Sequence, residues 1–257
     1  MDKLLELNNI CKVYSQGTDE IVVLDDINLK IGEKEFVCIM GPSGCGKSTL
    51  LKIIGGIEEP TLGSIHLHAE EFEKGIPKEV LKEFGYIFQQ HNLLEWRNVE
   101  RNLRIPLEIF DLKDKQWLER IDAMLKIVGL LEYKKVYPHE LSGGMKQRVG
   151  IARALVHNPQ ILLMDQPFGA LDAITRDMLA YEMLRIWRET KKTMIMITNS
   201  VEEALLLSNR ILIFGENGTI EHEIINDIRD EDRNEEISQC ARFNELRKEL
   251  NTIVHKL

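Results

Sequence analysis

The sequence predicts an α/β fold formed by one domain that carries an inserted subdomain. Three short, mostly apolar segments suit strands buried in a parallel sheet, and they lie at 36–40, 161–164 and 193–198. The first segment leads through a glycine-rich loop into a helical segment at 48–54, which is the strand–loop–helix unit of such folds. The length of 257 residues fits one domain, with or without an insertion.

The segments around the first buried strand differ in their periodicity. Alternating or β-branched apolar residues predict strands at 4–7, 21–24 and 27–31. Residues 92–145 instead carry helical periodicity, for example at 117–131. They predict a helical insertion before the second buried strand.

The last third of the chain is predicted to alternate helix and strand before it ends in an amphipathic helix. Ser200 and Glu203 have the spacing of a capping box, which predicts a helix at 201–208, followed by a strand at 211–214. Apolar residues then recur mostly every three or four positions over 237–257 and predict the final helix. This helix either packs on its own domain or contacts a partner.

The charge balance argues against general nucleic-acid binding. Lys and Arg number 33 against 42 Asp and Glu, so the net charge is −9, whereas a protein that binds the phosphate backbone needs the opposite bias. No apolar stretch approaches the roughly 20 residues of a membrane-spanning helix. The N-terminus lacks the features of a signal peptide. We therefore expect an acidic intracellular protein whose cysteines are reduced thiols.

The glycine-rich loop after the first buried strand fits the phosphate-binding pattern G-x-x-x-x-G-K-S/T. Its residues are Gly41, Pro42, Ser43, Gly44, Cys45, Gly46, Lys47, Ser48 and Thr49. Glycines let successive N–H groups turn towards one anion, and the start of the following helix adds positive potential. We expect Lys47 to reach the β- and γ-phosphates of a nucleotide and Ser48 to offer its hydroxyl to Mg²⁺. Cys45 is predicted to fill space rather than to react.

Asp165 is the second predicted ligand of the metal. It directly follows the apolar segment 161–164. The carboxyl ends of parallel strands form the ligand-binding edge of such sheets, and a carboxylate there suits Mg²⁺. The alternative is an aspartate that serves only to cap a turn before Pro167.

Between these anchors, the segment 141–148 reads LSGGMKQR and resembles the signature motif of ABC-transporter ATPases. The order of phosphate loop, LSGG and Asp165 is that of the family, and the resemblance covers nearly the whole chain. It implies a P-loop NTPase with a RecA-like core, an N-terminal antiparallel β subdomain and an inserted α-helical subdomain. The implied single ATPase domain, 1–257, divides into a nucleotide-binding core (about 1–90 and 156–225), a helical subdomain (about 91–155) and a C-terminal helical tail (about 226–257).

The resemblance also implies roles for residues outside the phosphate loop. Tyr14 matches the aromatic residue that stacks on adenine, Gln89 matches the Q-loop glutamine at the metal, and Asp172 matches the D-loop aspartate. In the family, the signature segment contacts ATP that is bound to the phosphate loop of another subunit, so that ATP is sandwiched in a dimer. The residues implied in that contact are Ser142, Gly143, Gly144 and Gln147.

Longer matches, including YPHELSGGMKQR and PFGALDAITR, resemble the ATPases of nitrate, sulfonate, taurine and bicarbonate importers. This resemblance implies a homodimer or heterodimer of ATPase subunits, peripheral at the cytoplasmic face of the cell membrane, with ATP and Mg²⁺ as cofactors. A polytopic permease would dock between Gln89 and Asn98, where Trp96 either contacts the permease or packs locally. An extracytoplasmic solute-binding protein would act indirectly.

Gln166 departs from the family pattern at the position of the glutamate that activates the attacking water. An amide can hydrogen-bond this water but cannot accept its proton. We therefore expect ATP to bind and to be hydrolysed slowly or not at all. Gln166 fits either a deliberate Glu→Gln change that traps the ATP-bound dimer or a natural, degenerate subunit.

Asn199 is the second departure, because it replaces the H-loop histidine of the family. It can donate a hydrogen bond to a γ-phosphate oxygen but cannot carry the charge of a protonated histidine. Together with Gln166 it keeps open an alternative function, that of a natural regulatory or structural subunit that binds ATP without useful hydrolysis.

Overall fold

The computed structural model describes residues 3–17 and 19–256 and shows a mixed α/β fold. Its strands are β1 (Lys3–Gln16), β2 (Asp19–Gly32), β3 (Phe36–Met40), β4 (Leu62–Leu67), β5 (Glu70–Phe72), β6 (Phe84–Ile87), β7 (Ile161–Asp165), β8 (Thr193–Ile197), β9 (Arg210–Phe214) and β10 (Ile220–Ile225). Its helices are α1 (Lys47–Ile54), α2 (Val99–Ile109), α3 (Lys115–Ile127), α4 (Gly143–Leu155), α5 (Ala173–Thr190), α6 (Val201–Leu207) and α7 (Ala241–Val254).

A six-stranded sheet in the order β10–β9–β3–β8–β7–β6 forms the centre of the molecule. All neighbouring strands are parallel except β10, which pairs with β9 in the antiparallel sense. Alternate residues of β3 join apolar clusters on opposite faces, Phe36 one cluster and Val37 the other. The strands predicted at 36–40, 161–164 and 193–198 are confirmed, and they are neighbours in this sheet.

The N-terminal part of the chain forms a separate antiparallel sheet in the order β2–β1–β4–β5. The prediction of two strands at 21–24 and 27–31 was wrong, because both segments belong to β2. The ladder between β1 and β2 shifts register between Ile10 and Lys12, and Asp26 on the opposite strand has a φ of +49°. This bulge interrupts the apolar alternation but does not end the strand.

Helices α2 and α3 lie within the helical insertion predicted at 92–145, whereas α4 begins at its end, continues to Leu155 and packs against both. The helix predicted over 117–131 ends earlier, at Ile127. Gly129, with a φ of +67°, reverses the chain there, as glycine does at many helix ends. The boundaries of the helical subdomain at 91 and 155 stay predictions.

The C-terminal helix packs on its own domain, as one of its two interpretations expected. Phe243, Leu246 and Leu250 are buried, and α7 lies against α6. The predicted segment 237–257 is not one helix, since a short turn at Ile237–Gln239 precedes α7. Among the described residues, no helix is long and apolar enough to span a membrane.

Candidate nucleotide-binding site

The phosphate loop between β3 and α1 depends on glycine at two close approaches. Gly41 and Gly46 have φ values of +146° and +97°, which L side chains rarely adopt. A Cβ atom on Gly41 would lie 2.6 Å from the carbonyl oxygen of Phe214, and one on Gly46 would lie 2.5 Å from that of Val23. The neighbouring backbone therefore fixes both glycines and the shape of the loop.

A cavity of about 230 Å³ lies over this loop. It is lined by Ser43, Gly44, Gly46, Lys47, Ser48, Thr49 and Gln166. Helix α1 begins at this cavity, and its first turn has neither an acidic residue nor a side-chain cap. The N–H groups of that turn are therefore available to an anion, which is the arrangement that phosphate needs.

Lys47 is buried at the end of the loop, although lysine side chains are rarely buried. Its ammonium donates to the carbonyl oxygens of Gly41 at 2.8 Å and Pro42 at 2.5 Å, and it lies 3.5 Å from Sγ of Cys45. A buried ammonium needs such partners, and phosphate oxygens would be stronger acceptors for the same donors because they are charged.

Ser48 lines this cavity and contacts Asp165, the other residue predicted to bind the metal. The hydroxyl of Ser48 donates to Oδ1 of Asp165 at 3.2 Å, although 117 positions separate the two residues. A hydroxyl, a carboxylate and phosphate oxygens form the all-oxygen set that Mg²⁺ prefers. These two residues therefore fit a magnesium ion bound together with a nucleotide.

A second cavity, of about 260 Å³, adjoins the first through Gln166, which lines both. The other residues that line it are Gly169, Arg176, Thr198, Asn199, Ser200 and Glu203. Gln166 follows β7 with a φ of +45°, and its N–H donates to the carbonyl of Ile197 at 3.1 Å. The two departures from the family pattern, Gln166 and Asn199, thus share one cavity beside the phosphate loop.

Thr198 and Ser200 fix the turn that carries the exposed Asn199. Thr198 donates its hydroxyl to Glu203 and accepts the N–H of Ser200 at 3.1 Å. Ser200 caps α6 by accepting the N–H of Glu203 at 3.2 Å. Only half of the predicted capping box is therefore present, because the Glu203 carboxylate bonds to Thr198 instead of to the backbone of Ser200.

Sequence reasoning missed Arg176 and Glu203, which lie in this cavity. Burial raises the pKa of the Glu203 carboxyl, and the hydrogen bond from Thr198 and the charge of Arg176 oppose this rise. Nε of Arg176 lies 4.0 Å from Oε1 of Glu203, and its Nη2 donates to the carbonyl of Leu171 at 3.1 Å. No spacing in the sequence predicts the contact between Arg176 and Glu203, because the two residues lie on different helices, α5 and α6.

The Tyr14 ring, expected to stack on adenine, lies at the surface with 38% of the residue exposed. Its hydroxyl donates to Glu58, and the ammonium of Lys12 lies 5.0 Å from the ring centroid. Sequence reasoning did not predict either neighbour.

The signature segment begins α4, with Ser142 as its N-terminal cap. Ser142 accepts the N–H of Met145 at 3.3 Å, and Asp172 caps α5 in the same way by accepting the N–H of Thr175 at 3.0 Å. A Cβ atom on Gly144 would lie 2.8 Å from Cγ2 of Thr175, so the starts of α4 and α5 are adjacent. Hydrogen bonds from Thr175 lower the pKa of the exposed Asp172.

Two predicted site residues lie elsewhere. Gln147 is 1% exposed, and its Oε1 lies 2.7 Å from Nδ1 of His91. Its side chain therefore contacts the segment after β6 and is not part of the surface on which Ser142 and Gly143 are exposed. Gln89 is exposed after β6 and lines neither of the two cavities.

The chain matches known proteins over most of its length. Residues 24–169 match the sequence model of the family described as ABC transporter. The aliphatic sulfonates import ATP-binding protein SsuB of Bacillus cereus (strain ZK / E33L) is 43% identical over 221 residues, which are 86% of this chain and 85% of that protein. The nitrate import ATP-binding protein NrtD of Synechococcus elongatus is 38% identical over 211 residues, 81% of this chain and 75% of that protein.

A solved structure shows the same fold. The ATP-binding cassette MJ0796, in a dimeric post-hydrolysis state bound to ADP and Pi, superimposes with a TM-score of 0.77 at 34% sequence identity. The superposition covers 87% of this chain and 99% of that one. With the phosphate loop, the LSGG segment and Asp165 placed as described, the chain belongs to the ABC transporter family and has the fold of its ATP-binding cassettes.

Proposed function

We propose that this chain is the ATP-binding subunit of an importer of a small anion, such as nitrate, a sulfonate, taurine or bicarbonate. The observation that carries nucleotide binding is the meeting of Ser48 and Asp165, 3.2 Å apart, beside the phosphate loop and Lys47. ATP would lie on the loop, and Mg²⁺ would bind the Ser48 hydroxyl and the Asp165 carboxylate. Gln89 is the proposed further ligand at the metal.

ATP would also act as the link between two ATPase subunits. Ser142 and Gly143 are exposed at the start of α4, next to Asp172 at the start of α5, and none of the three lines the cavities beside the phosphate loop. A helix start of this kind binds phosphate well. We infer that this surface closes on the nucleotide held by a second subunit, which is identical or closely related.

The importer role rests on the named relatives and on an exposed aromatic surface. Trp96 is 73% exposed and Phe88 39% exposed, and both lie in or beside the segment between Gln89 and Asn98. Exposed aromatic residues are enriched where proteins meet partners. A polytopic permease would dock there, which places this subunit at the cytoplasmic face of the membrane, with a solute-binding protein acting from the other side.

A second candidate function is a natural subunit that binds ATP but regulates or supports an assembly without useful hydrolysis. The observation that favours it is the pairing of Gln166 with Asn199 in one cavity. Neither amide can take a proton from water or carry positive charge. Both functions share ATP binding and differ in whether a permease is needed.

Purification of the tagged subunit from its native host, followed by mass spectrometry, separates the two candidates. The importer role predicts that a polytopic membrane protein and an ATPase subunit are recovered in stoichiometric amounts after detergent extraction. Charged substitution of Trp96, as in Trp96→Glu, should abolish recovery of the permease. Ile225→Glu serves as the control, because Ile225 is also exposed and lies on β10, at the edge of the six-stranded sheet opposite β6. Recovery of the subunit free of any permease would contradict the importer role and favour the regulatory one.

A further inference from the structure

The Tyr14 ring is held by two charged side chains that lie outside the phosphate loop. The Lys12 ammonium lies 5.0 Å from the ring centroid, and the Tyr14 hydroxyl donates to Oε1 of Glu58. Lys12 itself lies 3.2 Å from the same Oε1 and donates to the carbonyl of Glu59 at 2.8 Å. The three side chains therefore form one network, and a hydrogen bond between the side chains of Tyr14 and Thr49 joins it to the phosphate loop.

This network belongs to a larger connection between β1 and the loop that follows α1. The N–H of Thr61 donates to the carbonyl of Cys11 at 2.8 Å, and the Thr61 hydroxyl accepts the N–H of Val13 at 3.0 Å. Helix α1 starts at the phosphate loop, and the loop after it holds β1 next to Tyr14. The position of the ring is thereby fixed relative to the phosphate loop.

The charge of Glu58 persists near neutral pH. Burial works to raise the pKa of Glu58, but hydrogen bonds from Tyr14 and Lys12 and the nearby lysine charges outweigh it and lower the pKa. Burial and the Glu58 carboxylate raise the pKa of Tyr14, and they outweigh a hydrogen bond with Thr49 that lowers it. Glu58 thus stays a carboxylate and Tyr14 a neutral phenol, which preserves their hydrogen bond.

Lys12 also decides which face of the ring is free. An ammonium over a ring face makes a favourable cation–π contact, and a base cannot stack on a face that is already covered. With 38% of Tyr14 exposed, the uncovered face is the one available to a planar partner. Stacking on an aromatic side chain is favourable for any base, and it depends on a ring held in the correct orientation.

We propose that Lys12 and Glu58 are positioning residues that present one face of Tyr14 to the base of the bound nucleotide. They act through Tyr14 and do not touch the phosphates. The inference rests on the proposed function, since it concerns the base of the same nucleotide whose phosphates lie on the loop.

Calorimetric titration with two ligands, MgATP and magnesium tripolyphosphate, tests this inference, because only ATP carries a base. We expect Lys12→Met and Glu58→Gln to weaken ATP binding about 3- to 5-fold and Tyr14→Ala about 10-fold, in line with the loss of cation–π and stacking contacts. Tripolyphosphate affinity should change less than about 2-fold. Tyr14→Phe keeps the ring but removes the hydrogen bond to Glu58, so its ATP affinity should resemble that of Glu58→Gln. Lys12→Arg keeps the cation and should bind ATP as the wild type does.

Lys30→Met is the matched control, because Lys30 and Glu6 form a lysine–glutamate pair at 2.9 Å in the same sheet. It should bind both ligands as the wild type does. Unchanged ATP affinity in Lys12→Met and Glu58→Gln would overturn the inference, and so would equal losses for both ligands, which indicate an effect through the fold. Equal affinity of the wild type for both ligands would overturn the base contact while leaving the phosphate site. Failure of the wild type to bind either ligand would overturn the proposed function as well.

Discussion

Gln166 is held in place by its backbone, while its side chain is the part that we expect to set the rate of hydrolysis. Its φ of +45° and the hydrogen bond from its N–H to Ile197 hold it where the two cavities meet. Glutamine and glutamate have the same shape, so an exchange between them leaves this placement unchanged. The two side chains differ in that only the carboxylate can accept a proton from water.

Gln166→Glu should therefore raise the rate of ATP hydrolysis without changing ATP affinity much. A positioned general base contributes about 100-fold or more to rate, which sets the expected increase in a single-turnover assay. Gln160→Glu is the control, because Gln160 directly precedes β7 and is exposed at the opposite end of that strand. Equal rates for wild type and Gln166→Glu would contradict the role given to this position.

At the scale of elements, the first turn of α6 shows where local rules succeed and where they fail. The S-x-x-E spacing correctly predicts Ser200 as the helix cap and the helix that follows. It does not predict that Thr198 hydrogen-bonds to the Glu203 carboxylate, or that Arg176 of α5 lies 4.0 Å from the same carboxylate. The turn that carries Asn199 is thus held by a buried carboxylate, which makes its stability depend on pH.

The difference in thermal stability between Glu203→Gln and the wild type is expected to shift in favour of the variant as pH rises. The pKa of Glu203 is raised in the folded protein, so the native state binds more protons than the unfolded state between the unfolded and folded pKa values. The buried carboxylate therefore lowers the stability of the wild type as pH rises through this window, and the amide does not titrate.

Melting temperatures of both proteins at pH 4.5 and pH 8 measure this effect. The melting temperature of the variant minus that of the wild type should become more positive by about 2 °C at the higher pH. A shift of this size corresponds to a change of up to about 1 kcal/mol in the free energy of unfolding of a chain of this length. Glu216→Gln is the control and should show no such change, because Glu216 is exposed after β9 and is not among the charges that act on Glu203. A difference that is independent of pH would argue against the titration of Glu203.

At the scale of the whole molecule, the proposed site is divided between two surfaces. The phosphate loop, Gln166 and Asn199 line the two adjoining cavities, and Asp165 bonds to Ser48 beside them, whereas Ser142 and Asp172 lie at the paired starts of α4 and α5. Each surface offers helix N–H groups or side-chain donors to phosphate, so under the proposed function two copies of the chain would share one nucleotide.

MgATP should convert the 29.7 kDa chain into a dimer in light scattering after size exclusion, and slow hydrolysis at Gln166 should make that dimer persist. Ser142→Arg should prevent the dimer through its bulk and charge, while the affinity of the phosphate loop for ATP stays within about 2-fold, since Ser142 lines neither cavity. Thr252→Arg, exposed on α7, is the control of equal charge. A dimer that forms in Ser142→Arg would show that association does not use this surface.

The sequence by itself determined the buried strands, the phosphate loop, Asp165 and the helix cap at Ser200. These features depend on residues close together in the chain, through apolar periodicity, glycine conformations and side-chain bonds to nearby backbone. Only the tertiary structure decided that Gln147 is buried against His91, and that Lys12 and Glu58 hold Tyr14. The contacts between Gln147 and His91 and between Glu58 and Tyr14 join residues 56 and 44 positions apart, and no local pattern specifies them because they arise only when the elements pack.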